Sequence, residues 1–352
     1  MSSGPPAVGV PPTRQRVAHR LVRWAAHPVA PTVAHRAATA PRAAWCAALL
    51  LGLLAACGRS PEVPSRDGVT GANRPSVLPA PPDTDHFGAP LPTDARHAAR
   101  VVSLNPAATE AIFALGAQRR LVGRSRWDTF PAEARRVPAV GDGIRPNVEA
   151  VLAVRPSLVI LYATAENRAA ADALARAGVR TIALRVDRIR EFHHLLRTVG
   201  VALGDTAAAR TVSDSVQRTL DAVHRRTRAW PRVRVVWPLW DRPLLVVGQG
   251  SYLDELLEVA GGTNVFHDLV APSPAVSVEE VARRAPDVLV VGSEQGDRRL
   301  RASPAWRVVT AAREGRIVRV DDAVVGRPSV NLGMAAVALA RALHPGRADT
   351  LP

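Results

Sequence analysis

The sequence predicts an α/β protein of two Rossmann-like lobes joined by a single long backbone helix. Three observations carry that expectation. A fifteen-residue pattern occurs twice, once starting at Asn147 and again at Ser277. Each copy sets a capping residue, a Glu two places on, a Pro seven further, and then a β-branched apolar run. Asn147 and Ser277 can accept a backbone N–H of a first helical turn, and Glu149 and Glu279 fall where the helix dipole favours an anion. Pro156 and Pro286 stop the helix. The runs beyond them, Leu158-Val159-Ile160-Leu161 and Val288-Leu289-Val290-Val291, read as buried strands of parallel sheets. The third observation lies between the copies. Residues 205–228 contain no Pro or Gly, and Val212, Val216, Leu220 and Val223 form one stripe. Such a helix is about 36 Å long, enough to bridge two lobes.

Composition narrows the functional classes. The 352 residues leave room for two domains with tails. The formal net charge is +15, yet there is no Lys and aromatics make up only 4%. No basic stripe interleaved with aromatics occurs, so a nucleic-acid partner is not expected. The two cysteines, Cys46 and Cys57, sit in or beside one N-terminal apolar run, leaving the body without a disulfide framework or a cysteine metal site.

Taken in order, residues 1–56 form a basic leader. Residues 43–56 are continuously apolar or Gly, too short to span a bilayer comfortably and suited to the core of a signal peptide. The run ends Leu54-Ala55-Ala56-Cys57-Gly58, which resembles the bacterial lipobox; that resemblance implies a lipid on Cys57 and a protein exported to the cell envelope. Residues 57–98, rich in Pro, Ser, Asp and Gly, read as a flexible tether. A first lobe is expected over 99–204. It opens with a strand at 101–104 and a helix after Asn105-Pro106 that Gly116 closes. A strand follows at 121–123, then the aromatic loop Trp127-Asp128-Thr129-Phe130-Pro131 and a second loop, Pro138 to Gly143. Beyond the first repeat copy come helices at 167–177 and 188–203 around a strand at 179–184. The bridging helix is assigned to 205–230 and the second lobe to 231–345. In that lobe, strands are expected at 233–237 and 244–247, with a loop between them carrying Trp240. A helix at 251–260 stops at Gly261-Gly262. A strand at 317–320 and a helix at 330–343 complete the lobe, and residues 346–352 are a tail.

These residues match a known family. Val101-Val102-Ser103-Leu104-Asn105-Pro106-Ala107-Ala108-Thr109-Glu110 resembles the opening motif of the periplasmic binding proteins for vitamin B12, iron-siderophores and haem. So do Leu121-Val122-Gly123, Asn147-Val148-Glu149, and the stretch from Leu257 through Gly261-Gly262-Thr263-Asn264-Val265-Phe266. The match spans roughly residues 99–343. The resemblance implies a ligand cleft between the lobes and delivery to an ABC-type permease dimer by a monomeric receptor. In the family one Glu on each lobe docks into Arg-lined pockets of the permease. Those positions correspond here to Glu149 and Glu279, with Glu280 a neighbouring alternative.

No resident cofactor is implied; the transported ligand would be cobalamin, haem or a ferric siderophore. Trp127 matches a position where the B12 receptors pack an aromatic ring on the corrin, and Phe130 matches a second aromatic of that loop. Trp240 faces them from the second lobe. Asn105, Pro106 and Arg327 complete the candidate ligand contacts, with Arg124, Arg126 and Arg145 as further partners for ligand acids. Gly143 stands where an aromatic would be expected. A zinc or manganese receptor of the same fold would need several converging His and carboxylate ligands, and adjacent His193 and His194 point to different helix faces. An enzyme finds no support in Gly248-Gln249-Gly250-Ser251, which lacks the later Gly of a dinucleotide motif. A lipoprotein that scavenges ligand without a permease shares every binding feature.

Overall fold

The computed structural model describes residues 84–91, 98–347 and 351; the leader, Cys57 and most of the expected tether lie outside them. The first lobe runs β1 (Val101–Leu104), α1 (Pro106–Ala114), β2 (Leu121–Ser125), β3 (Ala139–Gly141), α2 (Val148–Ala153), β4 (Leu158–Tyr162), α3 (Ala165–Arg176), β5 (Arg180–Leu184) and α4 (Ile189–Leu203). Its five strands are all parallel, in the order β3-β2-β1-β4-β5. That is the order of the first five strands of a doubly wound sheet, in which ligands gather beyond the carboxyl ends of the strands.

Helix α5 (Thr206–Thr227) then leads into the second lobe. There β6 (Val233–Val236), β7 (Pro238–Asp241), β8 (Leu244–Val246), α6 (Tyr252–Val259), β9 (Gly262–Asn264), α7 (Val278–Arg284) and β10 (Val288–Val291) come first. They are followed by α8 (Glu294–Ala302), α9 (Thr310–Arg313), β11 (Ile317–Arg319), α10 (Asp322–Val325) and α11 (Leu332–Leu343). The second sheet is parallel, ordered β11-β10-β6-β9, and β7 and β8 form a separate antiparallel hairpin.

Helix α5 is the strut its stripe predicts. Val216, Leu220 and Val223 are buried in one apolar cluster. That cluster also holds Val101 and Ile160 of the first sheet and Val235 and Val290 of the second. One core therefore runs from lobe to lobe through the helix. The outer faces of the two sheets close over separate clusters, with Val159 and Leu174 in the first lobe and Phe266 and Trp306 in the second.

The repeat is reproduced down to single bonds. Asn147 caps α2 by accepting the N–H of Ala150, and Ser277 caps α7 by accepting that of Glu280. After each helix, the residue just before the proline is left-handed, Arg155 (φ 47°) and Ala285 (φ 45°). Such a conformation costs a non-glycine residue roughly 1–2 kcal/mol, and an arginine at the start of a strand braces each. The Arg100 guanidinium donates to the carbonyls of Val154 (2.7 Å) and Arg155 (3.0 Å). Arg234 does the same for Arg284 (2.5 Å) and Ala285 (3.2 Å).

Three short strands occupy stretches expected to be loop or turn. β3, β7 and β9 have three, four and three residues. Residues 84–91, assigned by composition to the tether, are folded. Asp85 accepts the N–H groups of Phe87 (2.8 Å), Ala89 (2.9 Å) and Ala183 (2.8 Å). Phe87 packs on the first lobe's outer cluster, under the Arg168 guanidinium at 4.5 Å.

Candidate functional site

The loops at the carboxyl ends of both sheets meet at the lobe junction. On one side Asp187 and Arg188, just past β5, join the start of α6. The Tyr252 N–H donates to the Asp187 carbonyl (2.7 Å), Arg188 pairs with Glu255 (3.1 Å), and the Ile189 N–H also reaches Glu255 (2.8 Å). On the other side Arg327, beyond α10, reaches across to Glu110 in the middle of α1. Its guanidinium also lies 5.5 Å from the centre of the Phe130 ring. Glu110 is only 1% exposed. Burial pushes its carboxyl above the ordinary value and nearby Asp128 adds to this, against the opposing pull of Arg327 and Ser329.

The expected ligand contacts Phe130 and Arg327 are thus brought together, but in a joint between the lobes. Asn105 is committed as well. Its side chain caps α1 by accepting the Ala107 N–H (3.1 Å) and donates to the Leu184 carbonyl (3.2 Å), with Pro106 at the first helical position. Arg124 is buried and donates to the carbonyls of Ala134, Val137 and Ser125, holding the turn between β2 and β3. Trp240 directs its indole N–H to the Arg242 carbonyl (3.1 Å), within its own hairpin.

Trp127 is different, being 39% exposed. Its loop is pinned from below by Asp128, which accepts the hydroxyls of Ser125 (2.5 Å) and Thr109 (2.6 Å). Burial raises the Asp128 carboxyl to about 6 despite those bonds. From the side, Asp142 accepts the Trp127 indole N–H (3.3 Å) and the Ile144 N–H (2.9 Å) and pairs with Arg126. Partial burial alone would raise Asp142. The Ile144 N–H, Arg126 and Trp127 outweigh it and hold the carboxylate below its usual range. Ile144, whose N–H shares Asp142 Oδ1 with the indole, is exposed. At Gly143 a Cβ would meet the Leu104 carbonyl at 3.0 Å, a tight contact for any side chain.

Sequence reading overlooked Glu110, Asp128 and Asp142. Glu110 carried a signal, a lone carboxylate inside the apolar helix that runs to Leu115. The other two lie in polar loops, where an Asp attracts no notice. Both tyrosines act as donors, Tyr162 to Asp187 and Tyr252 to the Val325 carbonyl (2.6 Å). Burial raises the hydroxyl pKa of each. Among the described residues no three His, Cys, Asp or Glu side chains form a group able to hold a metal ion.

Glu149 and Glu279 are exposed in the first turns of α2 and α7. Helices that cross over between parallel strands run back from the strands' carboxyl ends. Each Glu therefore stands at the ligand-side edge of its own sheet. Glu280 is engaged by Arg283 and Arg284, and Arg284 also holds Asp268 (2.8 Å).

Two parallel-sheet lobes with a shared core, a bridging helix and their strand-end loops facing one junction define a two-lobed binding-protein architecture. The family model described as periplasmic binding protein matches residues 101–324. The chain belongs to the periplasmic binding protein family. It is 28% identical to the vitamin B12-binding protein of Salmonella typhimurium over 207 residues, 59% of this chain and 77% of that protein. The periplasmic haem-binding protein RhuT from Roseiflexus sp. RS-1, in apo form, aligns with a TM-score of 0.63 at 26% identity, covering 70% of this chain and 99% of that one. The periplasmic vitamin B12-binding protein BtuF of Vibrio cholerae shares the fold at TM-score 0.62 and 21% identity, covering 70% and 96%.

Proposed function

We propose that the protein is the receptor of an ABC importer, binding a corrinoid such as cobalamin between its lobes and delivering it to a permease dimer. The observation that carries this reading is the exposed Trp127 ring, held at the ligand edge of the first sheet in the loop whose Phe130 touches the second lobe. A broad flat ligand gains much of its affinity from aromatic burial. The named relatives that bind vitamin B12 favour the same ligand class. A haem reading draws on the haem-binding structural neighbours. Tyrosine is one protein ligand for haem iron, but both hydroxyls here are already committed as donors, Tyr162 to Asp187 and Tyr252 to the Val325 carbonyl. That favours the corrinoid.

For the partner, Glu149 and Glu279 supply one carboxylate per lobe, which suits a two-fold permease. Glu280 is the weaker candidate because its charge is met within α7. A lipid on Cys57 would keep the receptor at the cell envelope.

The test offers cyanocobalamin, haemin and a ferric siderophore to the purified chain, followed by native mass spectrometry and absorbance. Cyanocobalamin binding is expected, and Trp127→Ala should weaken it at least tenfold, roughly the cost of truncating a central aromatic anchor. Binding of haemin alone would overturn the corrinoid reading. In cells, Glu149→Arg with Glu279→Arg should abolish uptake while ligand binding persists. Normal uptake by that double variant would leave a permease-independent scavenger.

A further inference from the structure

We infer that Asp142 is the positioning residue of the ligand platform, setting the tilt of the Trp127 ring and holding Arg126 over one of its faces, so that the other face is left for the ligand. The inference rests on the corrinoid reading above and adds to it the residue through which Trp127 works.

The geometry is specific. One carboxylate collects four donors from three residues of two loops. Oδ1 accepts the Trp127 indole N–H at 3.3 Å and the Ile144 N–H at 2.9 Å. Oδ2 accepts Nε of Arg126 at 3.1 Å and also its Nη2. The guanidinium carbon then sits 5.3 Å from the Trp127 ring centre, within the range of a cation–π contact. The main chain of Trp127 is fixed independently, its N–H donating to the Ser125 hydroxyl (3.2 Å), which itself donates to Asp128. With the backbone set from one side, the remaining freedom is the ring's own rotation, and Asp142 removes it. A ring ordered before the ligand arrives loses less entropy on binding. Through the Ile144 N–H the same carboxylate also fixes the main chain of an apolar residue that is 45% exposed.

The role predicts a coupling that a merely structural Asp would not show. Trp127→Phe keeps an aromatic ring but deletes the indole N–H. Affinity for cyanocobalamin would be measured by titration calorimetry on the full chain, its Asp142→Ala and Trp127→Phe variants, and the double variant, with thermal melts alongside. Asp142→Ala is expected to lose about tenfold in affinity, the scale of one charge-assisted hydrogen bond. In the Trp127→Phe background, where the indole contact is gone and only the hold on Arg126 remains, the same change should cost about threefold or less. Losses that multiply independently, or an Asp142→Ala protein that binds like wild type, overturn the inference. If Asp142→Ala fails to fold, Asp142→Asn takes its place in the cycle under the same criteria. Trp127→Ala separates the two levels: wild-type affinity in that variant would remove the platform itself, whereas independent losses remove only the role of Asp142.

Discussion

Asp128 shows how much of this site is decided by single buried groups. Its carboxyl sits near 6 when folded, against about 3.9 in an unfolded chain. A raised folded value means a contribution that is complete below about pH 4 and is lost as the pH rises through about 6. The gap corresponds to about 3 kcal/mol. His193, His194 and His344 act in the opposite sense: burial lowers each, so their contribution is present above about 6.5 and lost as the pH falls. Urea midpoints at pH 4, 5, 6 and 7 separate the effects, because Asp128→Asn keeps all three histidines. The variant should gain on wild type between pH 4 and 7; parallel curves would mean that Asp128 is not the group responsible. At this scale the sequence was legible for residue type and poorly legible for role. Trp127 could be placed from a motif, and the structure leaves it 39% exposed. Arg327 and Phe130 looked equally available, yet each meets a partner from the opposite lobe, far away along the chain. A capping Asn also reads the same in a sequence whether or not it touches a ligand, and Asn105 directs both ends of its amide to backbone groups.

Helix α5 and the two repeat units were the most legible elements, since each rests on a local pattern: an apolar stripe, a cap, a proline, a β-branched run. The edge strands were not. A three-residue strand such as β9, reading Gly-Thr-Asn, has no room for an alternation and is fixed by its neighbour β6 rather than by its own composition. The arginine braces on α2 and α7 escaped notice for a related reason, as Arg100 precedes the α2 unit by some fifty residues. Leu220 is the element-scale test. It is 3% exposed in the middle of α5 and lies in the cluster shared by both lobes. Leu220→Ala should cost about 3 kcal/mol, as for other buried leucines, measured by urea unfolding. A loss below about 1 kcal/mol would mean that the helix is a surface element and not the strut.

For the molecule as a whole, the shared core predicts one cooperative unfolding event. Two lobes with independent interiors would melt separately, whereas these share buried side chains along α5 as well as the Glu110–Arg327 and Arg188–Glu255 pairs. Scanning calorimetry of the full chain should give one main transition with calorimetric and van't Hoff enthalpies in a ratio near one. Two resolved peaks, one per lobe, would contradict the shared core. On the importer reading proposed above, that continuity also bears on how cargo is handed over. Halves that are fused along their spine lack a low-energy way to gape, so a filled receptor and an empty one should have nearly the same silhouette. On that reading, a transporter meeting either form would have to sense the passenger itself, or the rim beside it, rather than the posture of the carrier.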